Sequence, residues 1–110
     1  MNRFRTIAAT GFAALSLGAC TPEFWIEDVF GPERAGEAIA VATCESGLNP
    51  DAVSPGGGNH GLFQINNIHR ANFEAVTGRP WDERYNPKWN TVYAKHLYDS
   101  SGWGPWTCKP

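Results

Sequence analysis

The residue whose type and position point most clearly to chemistry is Glu45, in the stretch ATCESGLNPDAVS at residues 42–54. A helix is predicted to end at Gly47, so the carboxylate faces the negative end of the helix dipole. That field disfavours the charged form of an acidic side chain. A surface glutamate gains nothing from this, whereas a general acid has to hold its proton near neutral pH and does gain. Spacing alone leaves both interpretations open, because a solvated glutamate at a frayed helix end has the same pattern.

Glu45 belongs to the first of three predicted helices, which opens at Pro32 and ends at Gly47. Counting back by four and seven residues, Glu45 shares a face with Val41 and Ala38, which turns it toward the core. The apolar stripe of this helix consists of Ala35, Ala38, Ile39 and Ala42.

Two further helices are predicted. One begins after Asn66 or Asn67 and ends before Gly78, and its inward-facing residues are Ile68, Ala71, Ala75 and Val76. The other has Asn86 as its N-cap and Pro87 at its first position, because an asparagine and a proline favour those two places. Its apolar residues at helical spacing are Trp89, Val92, Tyr93 and Leu97.

The remaining segments are predicted to be irregular. Residues 20–31 form a tether that includes one amphipathic turn, and residues 32–110 form the single folded domain. The run NPDAVSPGGGNHG, residues 49–61, is a loop. Its glycines do not indicate a nucleotide cradle, because no G-K-[ST] follows and no strand precedes.

The N-terminus has the pattern of an export signal. Arg3 and Arg5 precede an apolar stretch that is too short to span a bilayer, so residues 1–19 are predicted to be a signal peptide. Residues 17–20, Leu-Gly-Ala-Cys, resemble the lipobox of bacterial lipoproteins, whose cysteine is lipidated and becomes the mature N-terminus. By that resemblance Cys20 carries a lipid anchor. The alternative is an ordinary secretory signal, although Leu17 fits poorly at the start of an A-x-A cleavage site.

Three cysteines would leave an odd thiol in an exported protein. If Cys20 carries lipid, Cys44 and Cys108 remain as a disulfide pair in an oxidising compartment. Such a bridge closes a loop of about 65 residues and stabilises the fold by about 4 kcal/mol in the chain-entropy treatment. No C-x-x-C occurs and the three histidines lack ligand spacing, so neither a metal site nor a cofactor is predicted.

Charge excludes some partners. The formal net charge is −2, and removing the signal deletes two arginines and makes the chain more acidic. Neither a basic stripe for nucleic acid nor a polybasic patch for anionic lipid is present in the sequence. An anionic substrate would therefore have to be reached through an anchor rather than by long-range attraction.

The combination of CESGLNPDAVS with GLFQIN a dozen residues later resembles the lysozyme-like superfamily, and most closely its soluble-lytic-transglycosylase (SLT) domains. The resemblance covers residues 35–108. It implies a mainly α, small lysozyme-like fold with at most a minimal β-hairpin around residues 54–65. It also implies that Glu45 is the acid and base acting on the β-1,4 bond between N-acetylmuramic acid and N-acetylglucosamine in peptidoglycan.

The second carboxylate of a hydrolase is not evident. Chicken-type lysozymes show a similar run, D-Y-G-I-F-Q-I-N, whose aspartate is that carboxylate, and here Asn59 of NHGLFQIN stands in its place. Asp51 and Asp82 are the remaining candidates. A lytic transglycosylase with one carboxylate is therefore the leading prediction, a muramidase the alternative, and a non-catalytic cell-wall-binding lipoprotein a third.

Other site positions follow from the same resemblance. Gln64 and Asn66 match the polar residues that line the family's saccharide groove, and Leu62, Phe63 and Ile65 are expected in the core. Ser46 matches the serine after the family's glutamate and is a substrate-binding candidate, with a plain small residue in the last turn of a helix as the equal alternative. The family's late A-Y-N motif, whose tyrosine contacts the glutamate, is not found, so Tyr93, Trp103 and Trp106 are the candidates for that contact. The predicted partners are peptidoglycan strands and a membrane reached through the lipid, with the protein an exported, cell-envelope monomer.

Overall fold

A computed structural model describes residues 21–110, so the predicted signal peptide and the lipobox cysteine lie outside the described residues. It contains four α-helices: α1 (Pro22–Phe30), α2 (Ala35–Ser46), α3 (Arg70–Thr77) and α4 (Pro87–Ser101). Two short 3₁₀ helices, Asn67–His69 and Trp81–Tyr85, precede α3 and α4. Strands β1 (Asn59–His60) and β2 (Ile65–Asn66) pair antiparallel as a minimal hairpin. The prediction of a mainly helical domain with one small hairpin is confirmed.

Helix α1 occupies most of the segment that was predicted to be a tether. Thr21 caps its N-terminus by accepting from the backbone N–H of Phe24. Ile26 and Phe30 are buried, and the Phe30 ring lies 5.8 Å from that of Phe63. The prediction of a single amphipathic turn therefore underestimates this helix, which packs against α2 and α4.

Helix α2 begins at Ala35 rather than at Pro32, because residues 32–34 form a turn after Gly31. Its end is as predicted: Gly47 is left-handed, with φ of 66°, and its N–H bonds the carbonyls of Ala42 and Thr43. This conformation favours glycine, and it ends the helix at Ser46.

Helix α3 buries a different side chain from those predicted. Ile68 is 84% exposed, and Ala71, Ala75 and Val76 also face solvent. The buried residue is Phe73, whose ring contacts those of Trp81 and Tyr93. The two aromatic rings that pack on Phe73 come from outside this short helix, and they decide which of its faces packs inward.

Helix α4 is the central support. Its N-cap is Asn86, whose side chain accepts from the N–H of Lys88, and Pro87 is its first residue, as predicted. Asn90, Thr91, Tyr93 and Ala94 are buried along it. Leu62, Phe63 and Ile65 join the same core, as predicted, together with Trp81 and Trp106.

The predicted Cys44–Cys108 disulfide is present, with Cα atoms 6.0 Å apart and 64 residues of sequence separation. It fixes the C-terminal tail to the last turn of α2. In the described range, 21–110, no helix is both long enough and apolar enough to cross a bilayer.

Candidate active site

Glu45 lies half-buried in the last turn of α2. Its Oε2 accepts a hydrogen bond from the backbone N–H of Cys108 at 3.2 Å. Since Cys108 is covalently tied to Cys44, the neighbour of Glu45, the disulfide keeps this backbone donor beside the carboxylate. Oε1 has no hydrogen-bond partner within residues 21–110, and this leaves one carboxylate oxygen free for a ligand.

The turn that begins GLFQ is built on Gly61 and clamped by Asn90. Gly61 has φ of 78°, and a Cβ there would lie 2.3 Å from Nδ2 of Asn90. The fully buried Asn90 accepts from the N–H of Phe63 at 2.8 Å and donates to the carbonyls of His60 and Arg84 at 3.0 and 2.9 Å. Every polar atom of this amide is paired, as burial requires.

Sequence reasoning missed Asn90. The available signal was an amide in an apolar helical stripe, between Trp89 and Tyr93, where a buried polar group must bond to another element. This signal indicates that Asn90 holds another segment in place, but it does not identify that segment as the GLFQ turn.

Ser46 joins α2 to the same turn. Its hydroxyl lies 2.8 Å from the carbonyl of Leu62 and 3.0 Å from that of Ala42. The contact with Leu62 holds the end of α2 against the turn, and the role of Ser46 in substrate binding stays a prediction. The catalytic candidate and the glycine turn are thereby fixed to each other.

Gln64 closes the turn in a left-handed conformation, with φ of 52°. Its amide Nε2 donates to the carbonyls of Gly61 at 3.0 Å and Ala52 at 3.2 Å. Those two bonds fix the side chain, while Oε1 has no partner within the described part of the chain and is available as an acceptor.

A cavity of about 290 Å³ opens beside the hairpin. It is lined by Asn59, Gln64, Ile65, Asn66, Ile68, His69, Leu97, Pro105 and Trp106. Three of the predicted substrate-binding residues, Gln64, Asn66 and Trp106, therefore share one concave surface. Glu45 is not among the lining residues of this cavity.

Trp106 connects the cavity to the tail that contacts Glu45. Its indole Nε1 donates to the carbonyl of Phe63 at 2.9 Å, and the side chain is 5% exposed. Because Trp106 is two residues from Cys108, the tail that supplies a donor to the carboxylate also supplies one wall of the cavity.

Two other predicted site residues lie elsewhere. Trp103 stacks on Phe30, with ring centres 5.6 Å apart, and donates Nε1 to Glu37 at 2.9 Å. Tyr93 is fully buried, and its hydroxyl contacts His69 and Asn72. Neither side chain makes a hydrogen bond to Glu45.

The candidates for a second carboxylate are both on the surface. Asp51 is exposed in a turn where its N–H donates to the side chain of Asn49 at 2.9 Å, and Asp82 is exposed in the 3₁₀ helix before α4. Neither lines the cavity. Asn59, which the sequence resemblance aligns with the lysozyme aspartate, lines the cavity and accepts from Asn66 Nδ2 at 2.8 Å.

His69 is the titratable residue in the cavity lining. Burial lowers the pKa of its imidazole below the ordinary value, and the nearby His96 lowers it further. The ring is thereby favoured in its neutral form, which carries one N–H donor and one acceptor nitrogen.

A family model described as a lysozyme-like domain matches residues 27–108, which is most of the chain and nearly all of the described structure. The match begins inside α1 and ends at the disulfide cysteine of the tail. Comparisons with curated proteins and with solved structures gave no match.

Proposed function

Because the chain belongs to the lysozyme-like domain family, we propose that it is a peptidoglycan lytic transglycosylase with Glu45 as its single acid and base. Membership supports an enzyme of the peptidoglycan-acting glycosidase and transglycosylase class in general. The bond cleaved is the β-1,4 link between N-acetylmuramic acid and N-acetylglucosamine, and the products end in a 1,6-anhydro ring.

The observation that carries the transglycosylase over the hydrolase is the amide at Asn59. Hydrolysis of a glycoside generally uses two carboxylates, one as acid and one as nucleophile or base. Asn59 lines the cavity, and by sequence resemblance it stands where chicken-type lysozymes have their second carboxylate. An amide carries no charge to stabilise an oxocarbenium-like centre. With one carboxylate, the same group has to act first as acid and then as base.

The reaction follows from this restriction. Protonated Glu45 donates its proton to the glycosidic oxygen as that bond breaks, while the substrate's own N-acetyl group stabilises C1. The Glu45 carboxylate then takes the proton from the muramyl C6 hydroxyl, whose oxygen bonds to C1 and closes the anhydro ring. Glu45 ends protonated, as it began, and no water is consumed.

The hydrogen bonds of Glu45 suit these two steps. Oε2 is fixed by the Cys108 N–H, which orients the carboxyl group and leaves Oε1 to exchange the proton. A fixed orientation matters because both proton transfers require hydrogen-bond contact with the reacting oxygen.

The muramidase remains the second candidate, and one observation favours it. The hydroxyl of Tyr93 is engaged by His69 and Asn72, so this tyrosine does not supply the contact to the glutamate that resemblance to transglycosylases implies. On this scaffold the candidates for the second carboxylate of a hydrolase are the exposed Asp51 and Asp82.

The test is the rate at which soluble glycan is released from purified peptidoglycan by the wild type and three matched carboxylate-to-amide variants. Glu45→Gln should lower the rate by at least about 100-fold, the usual contribution of a general acid. Its amide oxygen still accepts from the Cys108 N–H, so the fold should be retained. Asp51→Asn and Asp82→Asn should each stay within about twofold of wild type.

Three results would count against the proposal. A loss in Asp51→Asn or Asp82→Asn as large as that in Glu45→Gln would identify a second carboxylate and favour the muramidase. A fully active Glu45→Gln would remove the proposed acid. Glycan binding without any cleavage by the wild type would favour the wall-binding lipoprotein.

A further inference from the structure

A polar network lies behind one wall of the cavity. The hydroxyl of Tyr93 lies 2.9 Å from Nδ1 of His69 and receives a hydrogen bond from Asn72 Nδ2 at 3.0 Å. Asn72 also approaches Nε2 of His96 at 3.4 Å. Only His69 of this group lines the cavity.

The burial of Tyr93 decides which nitrogen of His69 carries the proton. The Tyr93 side chain is 0% exposed, so its hydroxyl hydrogen needs an acceptor within the protein. Asn72 already donates to the hydroxyl oxygen, and the acceptor in reach is Nδ1 of His69. The neutral ring then carries its hydrogen on Nε2.

Nε2 of His69 has no hydrogen-bond partner within residues 21–110. It is also not among the buried side-chain atoms of this range that lack a partner, which are Arg84 Nε and Thr91 Oγ1. His69 is half-buried and lines the cavity, and Nε2–H is the ring donor that the described part of the protein leaves unused.

We propose that His69 is a glycan-binding residue, which donates Nε2–H to an uncharged oxygen of an N-acetylated sugar in the cavity, and that Tyr93 is the positioning residue that fixes this tautomer. The inference rests on the proposed function for its substrate class. It adds a specific donor to the glycan site that the family resemblance did not assign.

The cavity lining fits an uncharged, partly apolar ligand. Neither lysine nor arginine is among the lining residues, which disfavours a phosphate or a carboxylate as the bound group. Apolar surface comes from Ile65, Leu97 and Pro105. Gln64 Oε1, which the described residues leave free, is a hydrogen-bond acceptor in the same lining, so the cavity offers a ligand one acceptor and, from His69, one donor. A sugar amide has the matching set: a carbonyl, an N–H and a methyl group.

Binding is measured in the Glu45→Gln background, so that the ligand is not consumed. The probe is tetra-N-acetylchitotetraose, titrated into the full chain by calorimetry. Adding His69→Ala should weaken binding about five- to tenfold, the loss expected for one hydrogen bond to a ligand. Adding Lys95→Gln is the control, because Lys95 pairs with Asp99 at 2.9 Å and does not line the cavity, and it should change the affinity by less than about twofold.

Tyr93→Phe tests the positioning role through the tautomer of His69, which would not change if Tyr93 served only to pack the core. In the parent protein, ¹⁵N NMR of His69 should report the Nε2–H tautomer, and Tyr93→Phe should convert part of it to Nδ1–H while weakening binding about two- to fourfold.

An Nδ1–H tautomer in the parent protein, or unchanged affinity in His69→Ala, would overturn the inference. If the wild type still cleaves peptidoglycan in either case, the proposed function stands without His69. Absence of both binding and cleavage would overturn the two together.

Discussion

At the scale of residues, the candidate acid is held by a covalent and a hydrogen-bonded constraint that converge on one place. Glu45 follows Cys44 directly, and the partner cysteine supplies the N–H that fixes Oε2 at 3.2 Å. The site therefore depends on the C-terminal tail as much as on α2. The wall of the cavity formed by Trp106 comes from the same tail.

The two histidines near Tyr93 allow a test of the electrostatics at the cavity wall. Replacing His96 with glutamine should raise the pKa of His69, because a positive His96 opposes a second positive charge on His69. The pKa should stay below 6.5, since burial is the larger cause and is unaffected. An NMR titration of the His69 ring measures this.

The control is Lys95→Gln on the same helix, where the ammonium group is paired with Asp99 at 2.9 Å. It should leave the pKa of His69 unchanged, and an unchanged pKa in His96→Gln would contradict the assigned coupling.

Because folding lowers the pKa of His69, the unfolded chain binds the proton more readily. Folding stability should accordingly decrease as the pH falls below 6.5.

At the scale of elements, the sequence was informative where a local rule decides the outcome. Gly47 ends α2 and Asn86 with Pro87 begins α4, because capping preferences depend on neighbouring residues alone. The buried face of α3 was predicted wrongly, because it depends on where Trp81 and Tyr93 lie in space. Local periodicity contains no information on those partners.

The same distinction holds at the site. Gln64, Asn66 and Trp106 were predicted as substrate-binding residues, and all three line the cavity. Tyr93 and Trp103 were predicted with equal reason, yet their partners are His69 and Glu37, which lie far away in sequence. A motif identifies residues that a turn presents, whereas an aromatic side chain can face either the core or a groove.

The glycine turn gives a prediction on stability that compares two glycines with the same φ. Gly61 and Gly57 both have φ of 78°, but a Cβ meets Asn90 and the Arg84 carbonyl at Gly61 and nothing within 4 Å at Gly57. Gly57→Ala should cost about 1 kcal/mol of backbone strain. Gly61→Ala should cost about 2–4 kcal/mol, because Asn90 is held by its hydrogen bonds and cannot move aside.

Urea unfolding of the two variants measures the difference. Equal losses in free energy of unfolding would mean that the clamp by Asn90 yields easily and that φ alone determines the cost.

At the scale of the whole molecule, a body of about 90 residues has a thin core, so a cross-link contributes a large share of its stability. The Cys44–Cys108 bridge spans 64 residues of sequence, from the acid-bearing helix to the tail. Replacing both cysteines with alanine should lower the free energy of unfolding by about 4 kcal/mol. The decrease is measured by urea unfolding.

The control for the disulfide is a reducing agent, which should destabilise the wild type by a similar amount and leave the double variant unaffected. A loss below about 1 kcal/mol would contradict a stabilising role for the bridge.

The position of the enzyme in the cell follows, in our proposal, from Cys20 rather than from charge. We propose that this cysteine is lipidated, so that the acidic catalytic body is held at the membrane facing the wall. Cys20→Ser should abolish incorporation of a labelled palmitate and move the protein from the membrane fraction to the soluble fraction. A wild type without label, secreted in soluble form, would indicate an ordinary signal peptide.

The measurement that tests the central claim most directly is the mass spectrum of peptidoglycan fragments released by the wild-type protein. A single carboxylate that acts as acid and then as base predicts fragments one water lighter than hydrolysis products, with 1,6-anhydromuramyl ends, and none of these from Glu45→Gln. Fragments with reducing ends would contradict the account, because they would require water as the nucleophile and a second group to activate it.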